Sequence, residues 1–202
     1  MDLNPVPHSK TVLIIDDEKS MLELSRLILE QAGYRVVEAI RGKEGLGKAI
    51  EIKPGLILID HWMPGLDGVE TFKIMVKEPR YQVIRDTPVI LLTARTMNEA
   101  EKREILALGL AAYLIKPFGH RELINVIDNV FMAHELKLEN RRLQEELHDS
   151  FLETIKLLLN LLAIRDPATQ SHSMMVLSLA EDVCHKLSIS GEELFNIKLA
   201  AL

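Results

Sequence analysis

Two apolar runs that end in aspartate decide the fold: Val12-Leu-Ile-Ile-Asp-Asp17 and Leu56-Ile-Leu-Ile-Asp60. Each contains four consecutive branched apolar residues, which is typical of a strand buried on both faces of a parallel sheet. Residues 89–92 and 112–115 have the same character, and a shorter run at residues 35–37 is expected nearer a sheet edge. These runs predict the strands of one parallel sheet.

Helical periodicity fills the intervals between these runs. Apolar residues spaced three and four apart predict amphipathic helices, with Leu24 on the buried face of the first and Leu106 on that of the fourth. Gly33 and Gly109 follow these two helices, as expected at helix C-termini. Strand and helix alternating five times predict an α/β domain with a doubly wound, five-stranded parallel sheet and a ligand site at the carboxyl ends of its strands.

After Pro117 the sequence predicts an all-α segment. Residues 133–150 are polar, with leucines at positions 136, 143 and 147, which indicates one long helix with a short coiled-coil seam as an option. Apolar density returns at residue 151, and two later helices are predicted, over residues 170–187 and from Ser190 onward. The predicted organisation is a tail at residues 1–9, a sheet domain at 10–132, a helical linker at 133–150 and a truncated helical output segment at 151–202.

Composition excludes several classes of protein. The chain has 202 residues, of which 48% are hydrophobic, and this proportion is too high for a disordered protein. Its 24 basic and 30 acidic residues give a net charge of −6, which disfavours a broad nucleic-acid surface. Cys184 is the single cysteine, so no internal disulfide or thiol-based metal cluster is expected. No run reaches the roughly 18 apolar residues of a membrane span, and we expect a cytoplasmic protein.

Polar residues at the strand ends form the predicted site. Asp16 and Asp17 follow the first strand and Asp60 ends the third, so the three carboxylates are expected to meet at one sheet edge. Clustered carboxylates repel unless a cation neutralises them, and hard oxygen ligands suit Mg²⁺. Thr93 and Lys116 end the fourth and fifth strands and add a hydroxyl and an ammonium. This set favours phosphoryl transfer onto Asp60.

Over residues 10–132 the sequence resembles the receiver domains of two-component response regulators. The resemblance rests on Ile14-Ile-Asp-Asp-Glu18, Ile59-Asp-His-Trp-Met-Pro-Gly-Leu-Asp-Gly68, Leu92-Thr-Ala94 and Tyr113-Leu-Ile-Lys-Pro-Phe118. It implies a flavodoxin-like fold in which Asp60 accepts a phosphoryl group from a histidine kinase or a phosphotransfer protein. It also implies Mg²⁺ bound by Asp17, Asp60 and the backbone carbonyl of Trp62, and through water by Asp16.

The same resemblance assigns further roles. Thr93 and Lys116 would stabilise the phosphoryl oxygens, Thr93 and Tyr113 would form the conformational switch, and Pro117 would follow a cis peptide bond. His61 and His120 are interpreted as partly exposed loop residues rather than catalytic bases. The pair Asp67-Gly68 is interpreted as the turn into the third helix.

Residues 151–202 resemble the opening helices of HD-GYP domains, which are metal-dependent phosphodiesterases acting on cyclic di-GMP. The resemblance rests on Leu162-Ala-Ile-Arg-Asp-Pro-Ala-Thr-Gln-Ser-His172 and Leu199-Ala-Ala-Leu202. Only His172 matches a ligand of the family's Mn²⁺ or Fe²⁺ site, and Ala168 and Met174-Met175 depart from its pattern. Cys184 is interpreted as a small core residue, with His185 next to it a poor metal partner.

Three functions follow from these patterns. The first is a response regulator that passes phosphorylation of Asp60 through the long helix to an output segment or to a homodimer partner. The second is an active cyclic di-GMP phosphodiesterase, which we expect only of a longer parent chain. The third is a DNA-binding regulator, disfavoured because residues 133–202 hold 7 basic and 11 acidic residues.

Overall fold

The computed structural model describes residues 10–94, 99–163, 167–187, 189 and 191–200. Strands and helices alternate through the first part of the chain, and three helices follow. In order, they are β1 (Thr11–Ile15), α1 (Lys19–Gln31), β2 (Arg35–Ala39), α2 (Gly42–Ile52), β3 (Leu56–Asp60), α3 (Gly68–Lys77), a 3₁₀ helix (Pro79–Ile84), β4 (Val89–Thr93), α4 (Glu99–Ala107), β5 (Ala112–Ile115), α5 (His120–Ala163), α6 (Pro167–Lys186) and α7 (Gly191–Ala200).

The five strands form one parallel sheet in the order β2-β1-β3-β4-β5. The predicted doubly wound α/β domain is therefore confirmed, as is the place of β2 at an edge. The prediction that the run at residues 112–115 is buried on both faces is wrong. It forms β5 at the opposite edge, where Ile115 is 40% exposed, because an edge strand has a neighbour on one side only.

Alternate residues of each strand point to opposite faces of the sheet. In β1, Leu13 and Ile15 join the core under α2 and α3, whereas Val12 and Ile14 join the core under α1 and α5. The predicted burial of Leu24 and Leu106 is wrong, since both are about half exposed. The buried face of α1 consists of Leu22, Ser25, Ile28 and Leu29, and Ile105 is buried on α4.

The chain divides into two units, and the boundary lies after Glu135, within the 44-residue helix α5. In the first unit, Tyr34 stacks on Phe131 of α5 with ring centroids 5.5 Å apart, and its hydroxyl donates to Asp128. Burial and this carboxylate together raise the pKa of Tyr34. These contacts anchor the start of α5 to the sheet domain.

The second unit is helical. Helix α6 begins at Pro167, earlier than predicted, because proline is accepted in the first turn of a helix. Leu152, Leu177 and Cys184 are buried, which confirms the interpretation of Cys184 as a core residue. The predicted tail at residues 1–9 and the predicted helix start at Ser190 lie outside the described residues. Across the part that the structure describes, no helix has the length and apolarity needed to cross a membrane.

Candidate functional site

Three carboxylates converge at the carboxyl edge of the sheet. Residues Ile15 and Ile59 are register partners in β1 and β3, so Asp16 and Asp60 follow them side by side. One carboxylate oxygen from each of Asp16, Asp17 and Asp60 lies within 4.8 Å of the other two. Asp16 and Asp60 are buried and Asp17 is exposed, so the cluster opens to solvent on the Asp17 side.

Lys116 completes the cluster from the end of β5. Its Nζ lies 2.9 Å from Asp16 Oδ2 and 2.5 Å from Asp60 Oδ1. The second oxygen of each carboxylate accepts a backbone hydrogen bond at 2.9 Å, from Glu18 N–H to Asp16 and from Trp62 N–H to Asp60. Each buried carboxylate is therefore oriented by one ammonium and one amide.

The electrostatic balance of this cluster suits a divalent cation. Burial raises the pKa of Asp60 against the opposing effect of Lys116, because a carboxylate loses hydration energy in the interior. Burial also opposes the charge on Lys116, but its hydrogen bonds to Asp60 and Asp16 raise the pKa of the ammonium overall. Three carboxylates and one ammonium leave a formal charge of −2 on an all-oxygen ligand set, so these residues fit Mg²⁺.

Thr93 ends β4 beside the cluster and is fully buried. Its hydroxyl oxygen lies 3.1 Å from His61 Nδ1, and the backbone N–H of His61 donates to the Leu92 carbonyl at 2.7 Å. The imidazole stacks on Trp62 with centroids 4.7 Å apart. His61 is half-buried, as the sequence suggested, but its contact with Thr93 was not predicted, because no sequence signal links these two positions.

The other predicted switch residue lies in β5. Tyr113 pairs in register with Leu91, is half-buried and packs on the core under α2 and α3. The Lys102 ammonium lies 5.8 Å from the centre of its ring. The Lys116–Pro117 peptide bond is cis, and the Lys116 N–H donates to the Thr93 carbonyl at 2.7 Å. Tyr113 and Thr93 thus occupy neighbouring strands, Tyr113 on the edge strand β5 and Thr93 at the end of β4 next to it.

Helix α3 begins directly beside Asp60. Asp67 is its N-cap and forms a reciprocal capping box with Glu70, which confirms the predicted turn into this helix. The Gly68 N–H donates to the His61 carbonyl at 2.9 Å. An added Cβ at Gly68 would lie 2.3 Å from the Asp60 carbonyl oxygen, so only glycine fits there without a shift of the backbone. A short sequence such as Asp67-Gly68 suggested the turn but not this close approach.

Of the remaining predicted residues, Trp62 contacts the cluster through its backbone. The Trp62 side chain is 61% exposed, so its backbone amide rather than its ring contacts Asp60. His120 is exposed at the first position of α5, and His185 is exposed on α6. His172 belongs to α6, but its side chain lies outside the described residues.

Known proteins resemble the first unit. Residues 12–128 match the family described as the response regulator receiver domain. The phosphate regulon transcriptional regulatory protein PhoB of Pseudomonas aeruginosa is 36% identical over 115 residues, which are 57% of this chain and 48% of PhoB. The alkaline phosphatase synthesis transcriptional regulatory protein PhoP of Bacillus subtilis is 34% identical over 138 residues, which are 68% of this chain and 55% of PhoP.

A solved structure agrees with these relatives. The chemotaxis protein CheY4 of Vibrio cholerae is 32% identical and superposes with a TM-score of 0.55, covering 59% of this chain and 97% of CheY4. The chain spans about half the length of the curated relatives it matches. Together with the parallel sheet and its acidic pocket, these matches show that the chain belongs to the response regulator receiver domain family.

Proposed function

We propose that Asp60 is the phosphoacceptor of this receiver domain. The observation that supports this most directly is the convergence at the end of β3, where Asp60 shares a pocket with Asp16 and Asp17 and bonds to the Lys116 ammonium. A carboxylate oxygen of Asp60 attacks the phosphorus of a phosphohistidine on a histidine kinase or phosphotransfer protein. The phosphorus–nitrogen bond breaks as the phosphorus–oxygen bond forms, which leaves an acyl phosphate on Asp60 and frees the donor imidazole.

The proposed magnesium site is this same pocket. Asp17, Asp60 and the Trp62 backbone carbonyl are the proposed ligands, with Asp16 contributing through water. When bound, Mg²⁺ offsets the negative charge that the phosphoryl oxygens add to the three carboxylates. The Lys116 ammonium and the Thr93 hydroxyl contact the remaining phosphoryl oxygens. The chain's own part is to orient the Asp60 oxygen, which the Trp62 amide and Lys116 already restrain.

Beryllofluoride with Mg²⁺ tests the proposal because it mimics a phosphoryl group on a carboxylate. We expect saturable binding, measured through the fluorescence of Trp62, which is the single tryptophan of the chain. Asp60→Asn should abolish the response. Asp149→Asn, which removes an exposed carboxylate from α5, should respond as the unmodified protein does. Equal responses from the Asp60 variant and the unmodified protein would refute the assignment of Asp60.

The proposed route to the output runs through Thr93, Tyr113 and α5. Phosphorylation would draw the Thr93 hydroxyl toward Asp60 and let Tyr113 pack further inward. Helix α5 continues from the sheet domain to Ala163 without a break, which supports its role as the transmitting element. The proposed domain boundaries stay at residues 10–132, 133–150 and 151–202.

We also propose that the polar stretch of α5 pairs with a second copy of the chain. Leu136, Leu143 and Leu147 are 64%, 51% and 68% exposed on one side of this helix. In a heptad with leucines 136 and 143 at d, Asn140 and Leu147 occupy a positions. An asparagine at one a position favours a parallel, in-register pair, and this supports a homodimer partner.

For the output we propose the start of an HD-GYP domain, supported by the sequence at residues 162–172 and 199–202. His172 would be one metal ligand in a complete domain, with Mn²⁺ or Fe²⁺ as the ion. One ligand cannot hold a catalytic metal, so the 202-residue chain should not hydrolyse cyclic di-GMP above background. Turnover by this chain would favour the alternative, an active phosphodiesterase.

A DNA-binding output is the other candidate, because PhoB and PhoP are named transcriptional regulatory proteins. The acidic excess of residues 133–202 opposes contacts with phosphate, so we propose that this segment does not bind DNA. A gel-shift titration at low salt checks this, and salt-sensitive binding would refute it. The cytoplasmic location remains a prediction from the sequence.

A further inference from the structure

His61 contacts Thr93 beside the proposed phosphorylation site, although His61 is neither a proposed metal ligand nor a proposed phosphate-binding residue. The Thr93 hydroxyl oxygen is 3.1 Å from His61 Nδ1, and Thr93 is fully buried. The imidazole stacks on the Trp62 ring, and the bond from the His61 backbone N–H to the Leu92 carbonyl fixes the main chain that carries the imidazole. The contact with His61 therefore favours the orientation in which the buried Thr93 hydroxyl faces the imidazole.

We propose that His61 is a positioning residue that holds the Thr93 hydroxyl in the unphosphorylated protein and must release it when Asp60 is phosphorylated. The inference rests on the proposed function, in which Thr93 turns toward the phosphoryl group. Staggered rotamers lie 120° apart, so a change of rotamer moves the threonine oxygen by about 2.3 Å. That displacement exceeds the tolerance of a 3.1 Å hydrogen bond, so the contact with His61 opens.

The contact forms in either tautomer of the imidazole. A hydroxyl donates one proton and accepts at two lone pairs, so it bonds to Nδ1 whether or not that nitrogen carries hydrogen. When this bond opens, the Thr93 hydroxyl bonds to a phosphoryl oxygen instead. The free-energy difference between the unphosphorylated and phosphorylated conformations therefore contains the energy of the bond to His61. A neutral hydrogen bond of this kind shifts an equilibrium by about fivefold. His61 thus biases the domain toward its unphosphorylated conformation.

Substitution of His61 tests this directly. His61→Leu has a side chain of similar bulk and lacks the bonding nitrogen, whereas His61→Asn has an amide at the position of Nδ1 and keeps a partner for Thr93. Each variant is titrated with beryllofluoride at fixed Mg²⁺, and the midpoint is read from Trp62 fluorescence, independent of its amplitude. We expect the leucine variant to bind about fivefold more tightly than the unmodified protein, and the asparagine variant to bind within twofold of it.

The same pair of titrations in a Thr93→Val background separates positioning from general loosening of the loop. There the gain from His61→Leu should vanish, because no hydroxyl remains to be held. Unchanged or weaker binding by His61→Leu, or an equal gain in both backgrounds, would overturn the role of His61. If the leucine variant does not fold, His61→Gln replaces it in the test. Its amide lies one carbon further along the side chain than Nδ1 does, so it should lose the contact with Thr93 and show the same gain in binding. An unmodified protein that binds no beryllofluoride would instead overturn the proposed function.

Discussion

The close approach of Gly68 to Asp60 leads to a prediction with a defined size. In Gly68→Ala the new Cβ would lie 2.3 Å from the Asp60 carbonyl oxygen and 2.9 Å from Leu91 Cδ1. Non-bonded heavy atoms pack at about 3.5 Å, so the backbone that carries Asp60 must move by about 1 Å. Forcing an extra methyl into a packed site costs about 1–3 kcal/mol of unfolding free energy.

Gly47→Ala is the matched control because it makes the same chemical change. Gly47 is an exposed residue inside α2, with nothing within 4 Å of a built Cβ. Alanine is favoured over glycine in a helix interior, so this variant should gain about 0.5–1 kcal/mol. The two identical substitutions should therefore shift stability in opposite directions.

Urea denaturation followed by circular dichroism measures both effects as changes in midpoint at constant slope. A second readout is phosphorylation by a small donor such as acetyl phosphate with Mg²⁺. A displacement of about 1 Å at the attacking carboxylate should slow phosphorylation about tenfold to 100-fold in Gly68→Ala and leave Gly47→Ala unaffected. If the two variants unfold at the same midpoint, the packing argument at Asp60 is wrong.

Four further predictions concern the charge cluster, the contact of Tyr34 with α5 and the leucines of α5. Mg²⁺ at ten times its dissociation constant should add about 1.4 kcal/mol of stability, and Asp17→Asn should lose most of this gain in thermal melts. Lys116→Met should cost about 1.5–3 kcal/mol without Mg²⁺, because two buried carboxylates lose their ammonium; Mg²⁺ should recover part of this loss, and melts without such recovery would count against a shared site. The pKa of Tyr34 is raised in the folded protein, so the unfolded chain loses the phenol proton first as pH rises above about 10. The free energy of unfolding therefore falls above that pH, by at most about 1.4 kcal/mol per pH unit. Tyr34→Phe should flatten this slope in urea melts from about pH 8 to 11. Leu143→Ser should weaken self-association about tenfold or more in sedimentation velocity, whereas Leu138→Ser, outside the heptad seam, should not; equal effects would exclude the proposed register.

The sequence alone determined the sheet and the acidic cluster. Strands buried on both faces require unbroken apolar runs, and these were legible at β1, β3 and β4. Since parallel strands share a carboxyl edge, the convergence of Asp16, Asp17 and Asp60 followed from their places after those runs. Rules of this kind depend on residues that are adjacent in the chain, so they can be applied to the sequence without the tertiary structure.

Other features depended on register, twist and loop paths, which no local rule supplies. The contact of His61 with Thr93 joins residues 32 positions apart, and the bonds of Lys116 to two carboxylates span 56 and 100 positions. The exposure of Ile115 followed from the place of β5 at an edge, and that of Leu24 from the rotation of α1 on the sheet. Tertiary packing alone decided these features, because each depends on which distant side chains the fold brings within contact distance.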